Sequence, residues 1–558
     1  MMRTLLGLAL AVSIALPAAA AGADLTPLRT LAIQEGGRHK PLDTFARETA
    51  RRVSGARAFT GGETIASLDP AEWVMSLVSD PRRWQSEPMF RVPHAALRQR
   101  ISLPAGQDRF TFQELAGHEG FLAAVAEVQE RMRIDPNATL DPVEQEIAGL
   151  YGTLSTVAGI FSGEALRMVP NPDATDGAWL TVAELGTTPG PVAAVLRQRV
   201  GDVAVASRQG DRQALAAAAG ALSRALREAA PADYPAAAAL EREVRYNRLK
   251  PFRLSWMLYL AGFLSLVAGL GLRTRVAPAL GLAFVLAGFA MTTYGMVLRT
   301  MVAGRAPVTN MYETVVFAAW GAVLLALWFE LRSRTRVVTA CAAGLAVVAL
   351  ILADNVPIMD GSITPLVPVL RDNTWLTLHV LTITLGYAAF LLALGLGHVN
   401  LGVFLFAPQR AALLKSLTQF LYRALQVGTL FLAVGTLLGG VWASYSWGRF
   451  WGWDPKETWA LIALLGYVGL LHGRLLGWVR DFGLAVGAIL GFLLVLMAWY
   501  GVNFVLGTGL HSYGFGVGGY GYVGTYLALE GAFLAYAVWR HGARAPLRVP
   551  AAAAARPA

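Results

Sequence analysis

From Leu254 onward the chain is a succession of apolar runs, each long enough to cross the hydrocarbon core of a bilayer, and little else in a sequence constrains a fold as strongly. The runs fall at about 254–272, 277–298, 311–330, 337–353, 375–397, 425–445, 458–478, 482–506 and 521–539. The expected fold is an all-α polytopic membrane protein of about nine transmembrane helices, preceded by an exported, helix-rich soluble domain.

The part before Leu254 has a different character. Over 558 residues the chain is 55% hydrophobic and 15% charged, which suits an integral membrane protein carrying a substantial soluble part. Arg3, the apolar stretch Leu5 to Leu16, Pro17 and an Ala-rich segment ending Ala21-Gly22-Ala23 form a secretory signal pattern, with cleavage expected near Ala21 or Ala23. The boundaries expected are a signal peptide over 1–23, an exported domain over 24–250, a membrane domain over 251–545 and a disordered cytoplasmic tail over 546–558. The exported part has turns at Gly36-Gly37, Gly61-Gly62 and Asn171-Pro172, and the Ala-rich tract from Arg212 to Glu243 reads as partly solvated helix.

Charge counting orients the spans. With the N-terminal domain outside, the inside loops hold Arg273, Arg275, Arg332, Arg334, Arg336, Arg410, Lys415, Arg423, Arg474, Arg480, Arg540, Arg544 and Arg548, and the outside loops only Arg299, Arg305, Arg371, Arg449 and Lys456. That asymmetry is what the positive-inside rule expects of a bacterial cytoplasmic membrane protein with its C-terminus inside. The formal net charge of +10 therefore calls for anionic lipid heads and not for nucleic acid. Cys341 is the single cysteine, which excludes disulfide frameworks, Cys-x-x-Cys redox chemistry and thiolate metal sites within one chain. Phosphate-binding Gly-x-x-x-x-Gly-Lys-Ser/Thr loops and Gly-x-Ser-x-Gly elbows are also missing, so the chemistry belongs to a cofactor or a passing substrate.

Between the sixth and seventh runs lies Trp447-Gly448-Arg449-Phe450-Trp451-Gly452-Trp453-Asp454-Pro455-Lys456-Glu457-Thr458-Trp459. An interfacial aromatic belt accounts for Trp442 and Trp459, but it does not predict an Asp-Pro-Lys-Glu string within the same loop. His379, at the outer end of the fifth run, and His511, in the loop after the eighth, reach the same side as Trp447, Trp451 and Trp453. A heme with two axial histidines needs such a set: one neutral imidazole on each side of the iron and aromatic surface against the porphyrin. Arg449 and Lys456 suit its propionates. His472 lies roughly fifteen residues into the seventh run, about 22 Å inward, where an ionisable group is a functional hypothesis and a helix-to-helix hydrogen bond is the plainer alternative. His398 has a similar depth, where a histidine also snorkels to the interface.

The Trp447–Trp459 string resembles the tryptophan-rich heme-handling signature of the CcsA (ResC) cytochrome c biogenesis proteins. Its Asp-Pro-Lys-Glu-Thr-Trp continuation is the CcsA form, whereas heme-handling proteins of the other maturation system are similar only up to the Asp. The resemblance covers roughly Leu280 to Trp539 strongly and the exported domain weakly. It implies a holocytochrome c synthase of the two-component System II type, handling heme b, with His379 and His511 as outer iron ligands and His472 as a ligand for heme entering from inside. It also implies as partners an apocytochrome c, a thiol-reducing system and a CcsB/ResB-like membrane subunit. In fused CcsB–CcsA proteins the ligand opposite His472 comes from a four-span CcsB unit, which is not seen before the CcsA-like half here; a separate CcsB subunit or His398 is then the source. A heme exporter or heme-binding chaperone without synthase activity is the alternative function, and a heme-dependent electron-transfer subunit a third, disfavoured because a stable electron carrier needs no mobile, exposed heme edge.

Two further segments resemble the family. Gln34 to Arg47 is similar to a stretch in the exported region of fused CcsB–CcsA proteins, with a folded domain start bearing a solvated basic strip as the plain reading. Gly304 to Glu313 is similar to a loop before a span, where Thr309 or Asn310 is suited to cap the third run with Glu313 near its N-terminus.

Overall fold

A computed structural model describes residues 23–544 apart from 56–67, 137, 139, 272–274, 334, 357–358, 367–371, 507–510 and 512–518. The expected signal peptide, all but Ala23, and the expected tail over 546–558 lie outside the described residues, as does the turn at Gly61-Gly62. The chain divides into two compact units, Met1–Arg248 and Leu249–Ala558.

The first unit begins its sheet structure with an antiparallel hairpin, β1 (Ala32–Glu35) and β2 (Arg38–Pro41). Gly36 and Gly37 turn it at φ 62° and 76°, a geometry that side chains with a Cβ resist. Helix α1 (Leu42–Ser54) follows without a linker. The basic residues of this segment are not a solvated strip. Lys40 is buried between Glu35 and Glu48, and Arg38 forms a two-pronged pair with Glu243. Asn247 donates to Asp43 and to Thr44, so buried polar pairs bind the start of the unit to its last helix. The Ala-rich tract forms two helices, α2 (Arg212–Ala229) and α3 (Ala237–Leu249), because Pro231 and Pro235 break it. Tyr234, in the break, accepts the Ala32 N–H with its hydroxyl at 2.9 Å.

The second unit is a helix bundle: α4 (Pro251–Gly271), α5 (Val276–Ala303), α6 (Met311–Ser333), α7 (Val337–Asn355), α8 (Leu381–Phe406), α9 (Ala411–Trp447), α10 (Pro455–Leu475), α11 (Asp481–Leu496) and α12 (Tyr520–Arg544). Among the described residues eight helical stretches are long and apolar enough to cross a membrane. The ninth expected run is a helix, α12, but Glu530 and the Tyr and Gly residues of its first half dilute its apolarity, so it falls outside those eight.

Lipid supplies no hydrophobic drive for one helix to bind another, so these helices associate by close packing on small residues. A Cβ on Gly281 would stand 2.7 Å from the Leu266 side chain, and one on Gly288 2.9 Å from the Tyr259 ring, which seats α5 on α4. On α9, Gly428 faces the Phe390 ring and Gly435 faces Ile383, both from α8. Phe390 in turn stacks on Tyr467 of α10, with ring centres 3.7 Å apart.

A fully buried charge pair sits within this apolar unit. Arg299 of α5 and Glu313 of α6 meet at 2.5 Å with both side chains 1% exposed. Arg299 also donates to the carbonyls of Gly361 (2.7 Å) and Ser362 (3.0 Å), and Glu313 accepts from the Thr309 N–H (2.7 Å) and hydroxyl (2.6 Å). Asn310 caps α6 by accepting the Glu313 N–H at 2.8 Å, so the expected capping role is present and the ion pair is added to it. Removing one member would strand a buried charge. We expect Arg299→Ala to cost about 3–5 kcal/mol, read as a lower unfolding midpoint in detergent, and Arg299→Met combined with Glu313→Leu to recover most of it. Equal midpoints for wild type and Arg299→Ala would refute this.

Candidate functional site

His379 is placed by an irregular lead into α8. Asp372 caps the turn Asn373–Trp375 by accepting the Thr374 and Trp375 N–H groups, and residues Leu376–Val380 then wind as a π-helix before α8 proper. Such widened turns rotate side chains away from their α-helical directions and collect at functional sites. The His379 Nδ1–H donates to the Gly435 carbonyl of α9 at 2.8 Å. Gly439, one turn further, has no side chain because the ring fills that space: a Cβ there would lie 2.7 Å from Cε1. The His379 ring is tilted on Trp442, with centres 5.7 Å apart.

Helix α9 ends at Trp447, and Gly448 reverses the chain with φ 69°. The next helix start explains the Asp-Pro-Lys-Glu string. Asp454 is the N-cap of α10, accepting from the Lys456 N–H at 2.9 Å, Pro455 occupies the first turn, and Glu457 reaches back to the Asp454 N–H at 3.2 Å. This is a capping box with proline where a missing N–H costs nothing. Glu457 also accepts from the Gly452 N–H (2.7 Å) and from Arg449 (3.1 Å), so one carboxylate ties the loop to the helix it precedes. Trp453 sits at φ 57°, a left-handed conformation that costs a non-glycine residue about 1–2 kcal/mol.

His511 arrives from a separate segment. Its Nδ1 lies 3.0 Å from Asp454 Oδ1, and its ring meets Trp447 edge-on at 4.9 Å. Burial holds the imidazole below its ordinary pKa, against the opposing pull of Asp454, which favours the neutral, coordinating form.

His379 and His511 line one cavity of about 210 Å³, together with Trp442, Trp447, Trp451, Trp499, Lys456 and Asn503. Val308 to Met311, the stretch held by the Arg299–Glu313 pair, closes another wall. Lys456 Nζ donates to Asn503 Oδ1 at 3.0 Å, and Asn503 belongs to a second π-helical stretch, Met497–Leu506.

The structure thus gathers His379, His511, Trp447, Trp451 and Lys456 at one cavity and places the other expected site residues elsewhere. Asp454 lies one step back, with its Oδ1 3.0 Å from His511 Nδ1. Trp453 is 69% exposed, and Arg449 is engaged with Glu457. His472 is exposed and donates to the Val468 carbonyl at 2.8 Å. His398 has its Nδ1 2.8 Å from the Leu394 carbonyl and its Nε2 2.9 Å from buried Glu530 of α12, and it stacks on Phe533. At 1.5 Å per residue His398 lies about 28 Å along the chain axis from His379, far from the cavity.

Five contributors are absent from the site expected from the sequence. Trp442 reads as a belt residue but lines the cavity, as does Trp499. Asn503 carried a signal, being an amide inside an apolar run. So did Gly435 and Gly439, a small-x-x-x-small pair of the kind that lets helices touch.

Comparison with known proteins covers this same region. Residues 308–511, which end on His511, match the Cytochrome C assembly protein family. The chain is 36% identical over 247 residues to the cytochrome c biogenesis protein CcsA of Prochlorococcus marinus, covering 78% of that protein, and 33% identical over 255 residues to CcsA of Pyropia yezoensis, covering 79%. It is also 31% identical over 494 residues to Protein NrfI of Wolinella succinogenes; that match takes in 86% of this chain, which spans about half the relative's length, 53%. A multi-pass helical unit with this family match across the cavity-forming segments makes the chain a member of the CcsA-type family of cytochrome c biogenesis proteins.

Proposed function

We propose that the protein carries heme b to the cavity, holds it between His379 and His511, and presents it for thioether attachment to the Cys-x-x-Cys-His segment of an apocytochrome c. The observation that carries this reading is the single cavity lined by both imidazoles and four tryptophans. The donor set fits the cargo. Nδ1 of each ring has an oxygen partner, a carbonyl for His379 and a carboxylate for His511, which makes Nε2 the coordinating atom of each. Lys456, held by Asn503, supplies a cation for a propionate, whereas Arg449 is committed to Glu457.

The bond-forming step is an addition. Each cysteine S–H adds across a vinyl C=C, the sulfur forming the new C–S bond and the hydrogen going to the other vinyl carbon, so the cysteines need only be kept as thiols by a reducing partner. This chain contributes orientation: aromatic walls against the porphyrin, two nitrogens on the iron, a cation at the carboxylate edge. The cavity end faces outward and the C-terminus faces the cytoplasm, a reading supported by the Lys and Arg asymmetry of the loops. Heme enters near His472, opposite a ligand from a CcsB/ResB-like subunit, because the His398 Nε2 is turned to Glu530.

Co-expression with a reporter apocytochrome tests the proposal, since covalent heme on the reporter separates a synthase from an exporter or chaperone. His379→Ala and His511→Ala should each abolish reporter heme while leaving membrane insertion intact, and imidazole in the medium should restore part of it; normal maturation in both variants would sink the reading. Gly439→Ala, which removes no functional side chain, should act like a partial His379→Ala, whereas Gly469→Ala, whose added methyl meets nothing within 4 Å, should be silent. His472→Ala should deplete heme from the whole protein, since the cavity is downstream. A matching loss in His398→Ala would assign the opposite ligand to this chain and remove the need for the partner.

A further inference from the structure

We propose that Asp454 is the positioning residue for His511, fixing the tautomer and rotation of its ring so that Nε2 serves the iron. The inference rests on the reading above that His511 coordinates heme. Its basis is one oxygen with two duties. Asp454 Oδ1 lies 2.9 Å from the Lys456 N–H, as the cap of α10, and 3.0 Å from His511 Nδ1. The residue is 6% exposed, so its contact with the imidazole is screened little by water.

Accepting from Nδ1–H forces the neutral ring into the tautomer whose lone pair is on Nε2, and the carboxylate makes that nitrogen a better donor. Because the same oxygen caps α10, the first turn of that helix sets where the ring stands. Trp447 meets the ring edge-on and blocks rotation on another side. His379 is oriented differently, by the Gly435 carbonyl and the bare backbone of Gly439, so the two nitrogens come from unequal surroundings.

The two duties can be separated by substitution. Serine and asparagine cap helices about as well as aspartate, and alanine does not. Serine's hydroxyl is one bond too short for His511, whereas asparagine keeps an acceptor at the same reach without the charge. The full chain is purified from heme-replete cells as wild type, Asp454→Ser, Asp454→Asn, Asp454→Ala and His511→Ala, and heme per protein, the reduced heme spectrum and the melting midpoint are recorded. Asp454→Ser should melt like wild type yet lose heme about ten-fold or more, or pass from a six- to a five-coordinate spectrum, with added imidazole restoring six-coordination. Asp454→Asn should keep more heme than Asp454→Ser, and Asp454→Ala should lose both heme and stability. Wild-type heme and spectrum in Asp454→Ser would overturn the proposal, as would heme loss that merely tracks the melting midpoint across the three variants. The His511→Ala arm separates the layers: six-coordinate heme in that variant overturns the ligand reading itself, whereas loss there with an unaffected Asp454→Ser overturns only the positioning role.

Discussion

The backbone contact between α8 and α9 is the constraint on which the site depends. Between helices in lipid, how closely two backbones approach is set by the side chains that stand between them. On α9 the glycines at 428, 435 and 439 receive Phe390, Ile383 and His379 in turn. The steps between successive glycines, seven residues and then four, equal the steps between the side chains they receive, as two antiparallel helices in continuous contact require. His379 is therefore the last knob of a packing ladder. Its ring reaches the Gly435 carbonyl because everything below it is already seated, and Phe390, stacked on Tyr467, brings α10 into the same stack.

A second constraint makes the aromatic loop rigid. A loop of tryptophans at a membrane surface would pay for its own ordering unless its backbone groups were satisfied. Glu457 meets that need by accepting from Gly452, Asp454 and Arg449. The glycine at 452 leaves room for the Arg449 guanidinium, which occupies the space a Cβ would take. The loop is thus an extension of the α10 N-terminus, and Trp451 takes its position from a helix start, whereas Trp447 is fixed as the last residue of α9.

The fold was readable because membrane helices announce themselves by length and apolarity, and every expected run from 254–272 to 521–539 corresponds to a helix. The weakest of these, α12, is weak for a reason visible in its residues: Glu530 has a structural partner, His398, that a hydropathy window does not see. Local chemistry was partly legible. The capping of α6 from Asn310 follows from a short sequence pattern, but the capping box at Asp454 was hidden by the functional colour of the surrounding tryptophans. The gathering of His379 and His511 about Trp447 and Trp451 was legible, but individual side-chain pairings were not. Nothing near Glu313 announces Arg299, and Trp442 gains its place only because α8 delivers His379 beside it.

The distribution of charge gives the cavity a direction. Within the bundle Glu313 is answered by Arg299, and at the loop Arg449 is answered by Glu457, while buried Glu530 has the His398 imidazole 2.9 Å away. Lys456 is different: among the described residues no carboxylate lies within ion-pairing distance of its ammonium group, whose hydrogen-bond partner is the neutral amide of Asn503. A cation set in an apolar, aromatic wall with a dipole for a neighbour is poorly compensated, and the cost falls when an anion enters. The two imidazoles, each with its Nδ1 held by an oxygen, are neutral and do not supply that charge. The proposed guest, with a flat apolar body, a metal centre and a carboxylate edge, has a counterpart for each feature in the aromatic walls, the two imidazoles and the Lys456 ammonium.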